Sequence, residues 1–539
     1  MNTDSLHQAI ALHQAGYPQQ AVTLYQELLQ REPHNSDVLH FLGLALYRIG
    51  DTALAFIHLE RAIVLAPSIS IYSYNLGHIY KERGQHQESI SCFQRVLQID
   101  PGHATAWYYL GGILEEQQQL DAAVEHYRKA IQFKPDYAEA LNNLGNALVE
   151  KAVDLKLDFD LDNRETPQSL AEQGWFEEAL EFLDRALALN PHFAAAHNNR
   201  GNALHGLGRT AEAITAYEQA LALQPDSLEA HCNYASVLLL AGDLIQGWKE
   251  YEWRFKKMST GVGELYKPQW DGSSLEDKTI LLVSEQGLGD NIQFIRYAML
   301  VKNLGARVLV ETYAPLRALF ATCPGVDEIF TRGQGLPEFD VWAPMMSLPS
   351  LLKTNLNNIP AQIPYLFPPK ACSLEPALQK LLTTPNLKIG LVWSPKLKVA
   401  MDRKRYCPLR YFEPLLQMEH VQFFSLYKGD RIVELGPYQH LITDLGSYFQ
   451  DFADTAYATD HLDLIISVDT SVVHVAGALG RPVWILLPFV PDWRWLLERE
   501  DSPWYPTARL FRPIRRGDWP EVLSRVACSL RQWVADQGV

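Results

Sequence analysis

Apolar and polar positions along this chain follow two different rules, and the change between them falls near the middle. Up to about residue 255, small and apolar residues recur at helical spacing. Between Ile71 and Pro101, for example, Leu76, Gly77, Tyr80, Ile90, Phe93 and Leu97 form the contact faces of two consecutive amphipathic helices. The pattern itself repeats. Prolines stand 34 residues apart at Pro33, Pro67, Pro101 and Pro135, then after a longer gap at Pro191 and Pro225. Gly43, Gly77, Gly111, Gly145 and Gly201 keep step with them, with Ala235 in the last copy. The proline ends each second helix, where its missing N–H and fixed φ suit a turn, and the glycine lets two helices approach closely. From Thr279 the period shortens to compact apolar runs separated by helical stretches. Strands are predicted at Thr279 to Ser284, Arg307 to Glu311, Val326 to Phe330, Phe339 to Trp342, Lys388 to Trp393, Val421 to Leu426, Leu462 to Val468 and Val483 to Leu487. Strand alternating with helix predicts parallel sheets joined by crossovers.

A helix-pair unit of 34 residues is identified as a tetratricopeptide repeat, so the first half is expected to be an α-solenoid presenting a concave face to partners. The expected organisation is an array over 1–256, a linker over 257–276, and two Rossmann-like lobes over 277–368 and 369–539. Pro135 and Pro191 lie 56 residues apart, which places an insertion of about 153–174 between the two helices of one repeat. Its Asp154, Asp158, Asp160 and Asp162 imitate a calcium loop or a DxD motif. Counted from Asp158, however, Asn163 stands where an EF-hand needs Gly and Ser169 where it needs Glu, so a solvated acidic loop is expected. Asn75, Asn143, Asn199 and Asn233 each precede the repeat glycine position by two residues. Such carboxamides could hold a peptide backbone without reading its sequence, or could simply suit that position structurally. The pattern resembles the asparagine ladder of tetratricopeptide-linked O-GlcNAc transferases, with Phe41 and Tyr109 interrupting it.

Length calls for several domains, and 47% hydrophobic with 20% charged residues describes a folded chain. A net charge of −16 argues against a general nucleic-acid or anionic-membrane binder, so any anion site must be local. Six scattered cysteines without a CxxC pair suggest a reducing compartment and no structural zinc. With neither a secretory signal nor an uninterrupted apolar span, the expectation is a cytoplasmic protein without integral membrane association.

Ligands of parallel α/β sheets bind outside the carboxyl ends of the strands, which directs attention to three strand-to-helix turns. The first, Glu285-Gln286-Gly287-Leu288-Gly289-Asp290, offers Asp290 as a base or as a helix cap. The second collects Lys396, Lys398, Arg403, Lys404 and Arg405, either a diphosphate site or a solvated run. In the third, Ser467 to His474, Asp469 ends a strand, Thr470 and Ser471 open a helix, and His474 lies one turn on. Helix amides and hydroxyls suit a phosphate there, while an N-cap and a packed histidine are the structural alternative.

The run Ser467 to Pro488, SVDTSVVHVAGALGRPVWILLP, resembles the donor-site motif of heptosyltransferase-like glycosyltransferases, family 9. PDWRW at Pro491 to Trp495, Asp501 to Pro506, EQGLGDNIQF at Glu285 to Phe294 and DFADTA at Asp451 to Ala456 resemble the bacterial branch fused to tetratricopeptide repeats. The resemblance implies a GT-B fold, no bound metal or cofactor, and inverting transfer from a nucleotide-sugar donor to an acceptor, such as a protein, recruited by the repeats. It implies Asp290 as general base on the acceptor, and Arg403, Arg405, Lys428, Asp469, Thr470, Ser471 and His474 around the donor. Tyr406 stands where the family usually has Ser, and Tyr427 where it has Gln. The competing expectation is therefore an interaction scaffold carrying an inactive transferase domain.

Overall fold

The computed structural model describes residues 3–153, 167–257, 267–369, 376–396 and 400–538. Asp154, Asp158, Asp160, Asp162 and Lys398 lie outside the described residues. The first half consists of helix pairs, beginning with Thr3–Gln14 and Pro18–Arg31, then Ser36–Arg48 and Thr52–Leu65, Ser70–Glu82 and His86–Ile99, and Ala104–Glu116 and Leu120–Phe133. Ala138–Val153 and Pro167–Leu189, Ala194–Gly206 and Thr210–Leu223, and Leu228–Ala241 and Leu244–Tyr251 continue the series. Each repeat proline sits two residues past the end of a second helix. The glycines mark real close approaches. A Cβ on Gly43 would lie 2.6 Å from Leu59 Cγ, one on Gly145 2.5 Å from Leu183 Cγ, and one on Gly201 2.5 Å from Tyr217 Cε1. Of the segment expected as an insertion, the part from Pro167 onward belongs to the 23-residue helix Pro167–Leu189, which is longer than the 14-residue second helices of the repeats before it.

The compact units do not follow the change of period. One comprises Met1–Lys151 with Glu178–Ala196, and the other Ala152–Glu177 with His197–Val539, so the last helix pairs belong with the sheets. The reason is burial. Leu239, Leu240, Leu244 and Trp248 share one apolar core with Trp270, Phe294, Trp493 and Trp504. The Trp248 ring meets Trp493 edge-on at 5.1 Å and Phe294 at 5.8 Å. Part of the expected linker is also packed. Gln269 forms a parallel bridge to Trp342, and Trp270 is 3% exposed, covering a sheet edge that would otherwise present unpaired backbone groups.

Two parallel sheets follow, an α/β arrangement. The first has β1 (Thr279–Val283), β2 (Arg307–Thr312), β3 (Glu328–Thr331) and β4 (Val341–Pro344) in the order β3-β2-β1-β4. The second has β5 (Leu387–Val392), β6 (Val421–Ser425), β7 (Ile442–Asp444), β8 (Leu464–Val468), β9 (Val483–Leu486) and β10 (Ala508–Phe511) in the order β10-β9-β8-β5-β6-β7. In each, the chain runs outward in one direction, returns, and continues in the other. The reversal falls between β1 and β4 in the first sheet and between β5 and β8 in the second, which opens a crevice at the carboxyl ends of those strands. The helix expected over Asn291 to Leu304 is two pieces, Leu288–Phe294 and Tyr297–Lys302.

Candidate functional site

The turn after β1 is held by side chains from three directions. The fully buried Asn291 accepts from Glu285 N at 3.1 Å and donates through Nδ2 to Glu285 O at 2.8 Å and Gly287 O at 2.7 Å. Glu285 receives the Arg254 guanidinium on both oxygens, at 2.8 and 3.1 Å, and accepts from Met346 N at 3.1 Å. Gln286 adopts φ +56°, an uncommon conformation for a residue with a side chain, and this tight network sustains it. The acid Glu285 is thus the anchor of the turn, tying it to Arg254, just beyond the last helix pair.

Asp290 follows at the third position of the Leu288–Phe294 helix, where it caps the helix start from within, its carboxylate accepting from the N–H of the N-cap Gly287. Its Oδ2 accepts from Gly287 N at 2.8 Å, and its Oδ1 is paired with the Arg494 guanidinium. Burial pushes the Asp290 carboxyl above its ordinary value, against the opposing charge of Arg494. Arg494 itself is 7% exposed; it donates from Nε to Gln293 Oε1 at 2.5 Å and reaches Asp492 Oδ1 at 2.7 Å. PDWRW marked this segment in the sequence, but the residue that matters in it, Arg494, is picked out by its reach to the other sheet's helix.

Beyond β8, Asp469 is 4% exposed and lies 3.9 Å from Arg405, which also donates to the Asp469 carbonyl at 3.0 Å. Burial raises the Asp469 carboxyl, and Arg405 opposes the rise. Arg405 is braced by Asp402 at 2.5 Å. Thr470 is the N-cap of the Ser471–Ala478 helix, yet its side chain makes no cap hydrogen bond and instead meets Ser467 Oγ at 3.2 Å. The Leu288–Phe294 and Ser471–Ala478 helices touch at Gly289, where a Cβ would come 2.9 Å from His474 Cδ2. Asp290, Arg494, Asp492, Asp469 and Arg405 therefore form one electrostatic group.

Other expected residues are placed differently. His474 is 4% exposed with Nδ1 paired to Tyr505 OH at 2.8 Å, and burial followed by the charges of Arg494, Arg296 and Arg405 holds its pKa well below 6.5. It is a neutral packing residue between two helices, the structural alternative. Lys428 donates to Phe449 O, binding together the loops after β6 and β7. Arg403 ends the short Ala400–Arg403 helix beside the Arg405 segment. Tyr427 packs on Trp393 with ring centroids 4.9 Å apart, and Tyr406 donates to Glu434 at 2.8 Å; both are buried at the carboxyl-end loops of β5 and β6.

The repeat asparagines bond within the array. Asn75 Nδ2 lies 3.0 Å from His40 Nε2, Asn143 Nδ2 donates to Tyr108 OH at 3.3 Å, and Asn233 Nδ2 donates to Asn198 Oδ1 at 3.2 Å. These three partners lie 35 residues earlier, one repeat back; Asn233 Nδ2 also donates to Asn202 Oδ1 at 3.0 Å and Asn143 Nδ2 to Tyr127 OH at 3.5 Å. Asn199 accepts from Asn198 Nδ2 at 3.4 Å and is 8% exposed. The carboxamides of Asn75, Asn143 and Asn233 thus bond to the preceding repeat, and that of Asn199 to its neighbour in its own helix, as the structural reading of this position has it.

Family models described as tetratricopeptide repeats match residues 6–68, 72–103 and 194–227, and 113–151 and 168–208. The first half is therefore an array of these repeats. The chain is similar to Protein FlbA of Caulobacter vibrioides, with 28% identity over 394 residues, 66% of this chain and 64% of FlbA; it thus spans just under two thirds of that relative's length. Among solved structures, YrrB, described as a tetratricopeptide-repeat protein with an unusual peptide-binding site, is 18% identical with a TM-score of 0.31 and covers 38% of this chain and 95% of its own. The C-terminal part of a repeat protein from Cytophaga hutchinsonii is 15% identical with a TM-score of 0.36, covering 46% and 93% respectively. Among the described residues, no helix is long and apolar enough to cross a membrane.

Proposed function

We propose that this chain is a metal-independent, inverting glycosyltransferase whose two sheets are the lobes of a GT-B fold and whose repeats recruit the acceptor, a protein or peptide. The observation that carries this reading is the convergence, from the carboxyl ends of both sheets, of a raised carboxyl at Asp290 with the Arg405–Asp469 pair. A carboxylate with an elevated pKa is suited to take a proton from an acceptor hydroxyl. Arg405, Arg403 and the first amides of the Ser471–Ala478 helix would stabilise the charge growing on a leaving nucleoside diphosphate, and Asp469 would accept from sugar hydroxyls. Arg494 opposes the burial that raises Asp290 and so favours its ionised form. Lys428 reaches a phosphate only after releasing Phe449 O.

One observation favours the scaffold reading instead: Tyr427 and Tyr406 fill the loops after β5 and β6, where a nucleotide-binding crevice needs room. Nucleotide release from a panel of nucleotide sugars separates the two readings. The transferase reading expects release with at least one donor, lowered about 10² to 10⁴-fold in Asp290→Asn. No release from any donor, with partner capture by the repeats intact, would establish the scaffold.

A further inference from the structure

The array carries a formed cavity of 380 Å³ whose walls come from the helices Ser70–Glu82, Ala104–Glu116, Leu120–Phe133 and Ala138–Val153. It opens where the asparagine series is interrupted, with Tyr109 replacing the carboxamide and Asn143 one repeat on. Tyr109 is held rigidly: it stacks on Phe93 with centroids 5.3 Å apart and lies 5.4 Å from Tyr108, which in turn contacts Tyr137 at 5.0 Å. The carboxylates around this aromatic wall are oriented too. Glu115 accepts from Tyr127 OH at 2.5 Å and from Asn146 Nδ2 at 2.9 Å, and Glu150 accepts from Asn146 at 3.1 Å. Glu116 meets Lys81 at 3.6 Å.

We infer that this cavity seats the side chain of an arginine or lysine presented by an extended partner peptide. Three carboxylates against the single ammonium of Lys81 make the lining anionic, which rejects an acidic peptide and complements a basic one. The tyrosine faces suit the methylene stem and the charged head together, by apolar contact and cation–π attraction. Lys81 already illustrates the second, its Nζ 5.9 Å from the Tyr109 ring centroid. A volume of 380 Å³ accepts one long side chain, so recognition is of a residue within an extended segment and not of a folded surface.

The inference rests on the partner-recruiting half of the proposed function and is independent of sugar transfer. Its test is panning of a random dodecapeptide library against the full chain, alongside Tyr109→Ala and Glu116→Lys variants. Peptides retained by the native chain are expected to be enriched in Arg or Lys. Their affinity, read by fluorescence anisotropy, is expected to fall about tenfold in either variant, with helix content by circular dichroism unchanged. Because Tyr109→Ala leaves the charge of the chain intact, its loss separates the cavity from general attraction to an acidic protein. Retention of neutral or acidic peptides, equal retention by both variants, or no retention at all would overturn the inference. Nucleotide release, measured in parallel, reports separately on the transferase reading.

Discussion

Replacing Arg494 with Met should expose the electrostatic design of the site. Arg494 is 7% exposed, and its removal strips Asp290 Oδ1 of its guanidinium, Gln293 Oε1 of its donor and Asp492 of its partner. The Asp492 side chain is 35% exposed and can take up water, so its loss is small. The Asp290 side chain is 19% exposed, and breaking one side of a buried pair costs about 3–5 kcal/mol, the dominant part here. The deficit should also depend on pH. Burial already raises Asp290 above 3.8, and without Arg494 it rises further. Between 3.8 and that higher value the folded variant holds a proton that the unfolded chain has released, so stability falls as pH increases through the window. The variant is therefore expected to lie nearer the native protein at pH 5 than at pH 8. Adding Asp290→Asn, which removes the stranded charge, should restore at least half of the loss. Because the chain has two compact units, a single unfolding midpoint is ambiguous. Hydrogen exchange of peptides covering 288–294 and 491–496, in urea at both pH values, reads the affected region directly. A deficit below about 1 kcal/mol, or one indifferent to both pH and Asp290→Asn, refutes the reasoning.

Two further outcomes follow from packing and protonation. Gly201→Val forces a Cβ to within 2.5 Å of the buried Tyr217 ring and should destabilise by about 1–3 kcal/mol or more, seen as faster exchange in Ala194–Gly206 and Thr210–Leu223. Unfolded His474 takes up a proton near pH 6.5 whereas the folded residue does not, so stability is lost as pH falls below that value; His474→Gln should flatten the decline by about 1.4 kcal/mol per pH unit, and an unchanged acid limb in urea titrations would contradict the burial argument.

The legible parts of the molecule are those decided by local pattern. Pro33, Pro67 and their equivalents mark helix ends, and Gly43, Gly145 and Gly201 mark helix contacts, because both effects act within one repeat. The buried strands β1, β5, β8 and β9 stand out as apolar runs. Strands β7 and β10 did not, because β7 is three residues long and β10, ending the order on the other side, is interrupted by the exposed Arg509. In the site, Asp290, Arg405 and Asp469 are legible because they lie in the segments that follow β1, β5 and β8. Arg494 is not: its partner Asp290 is 204 residues away, and a lone arginine between tryptophans carries no local sign of that reach.

By itself the amino-acid sequence determined the repeat period, the α/β succession and the turns where chemistry must lie, since these depend on residues near one another along the chain. Only tertiary structure decided what each polar group faces. It bonded Asn75, Asn143 and Asn233 to the preceding repeat, buried His474 against Tyr505, drew the last helix pairs into the core of the sheets through Trp248, and brought Arg494 to Asp290. Burying apolar faces sets which surfaces meet, and a buried polar group must then take the partner that packing leaves within its reach.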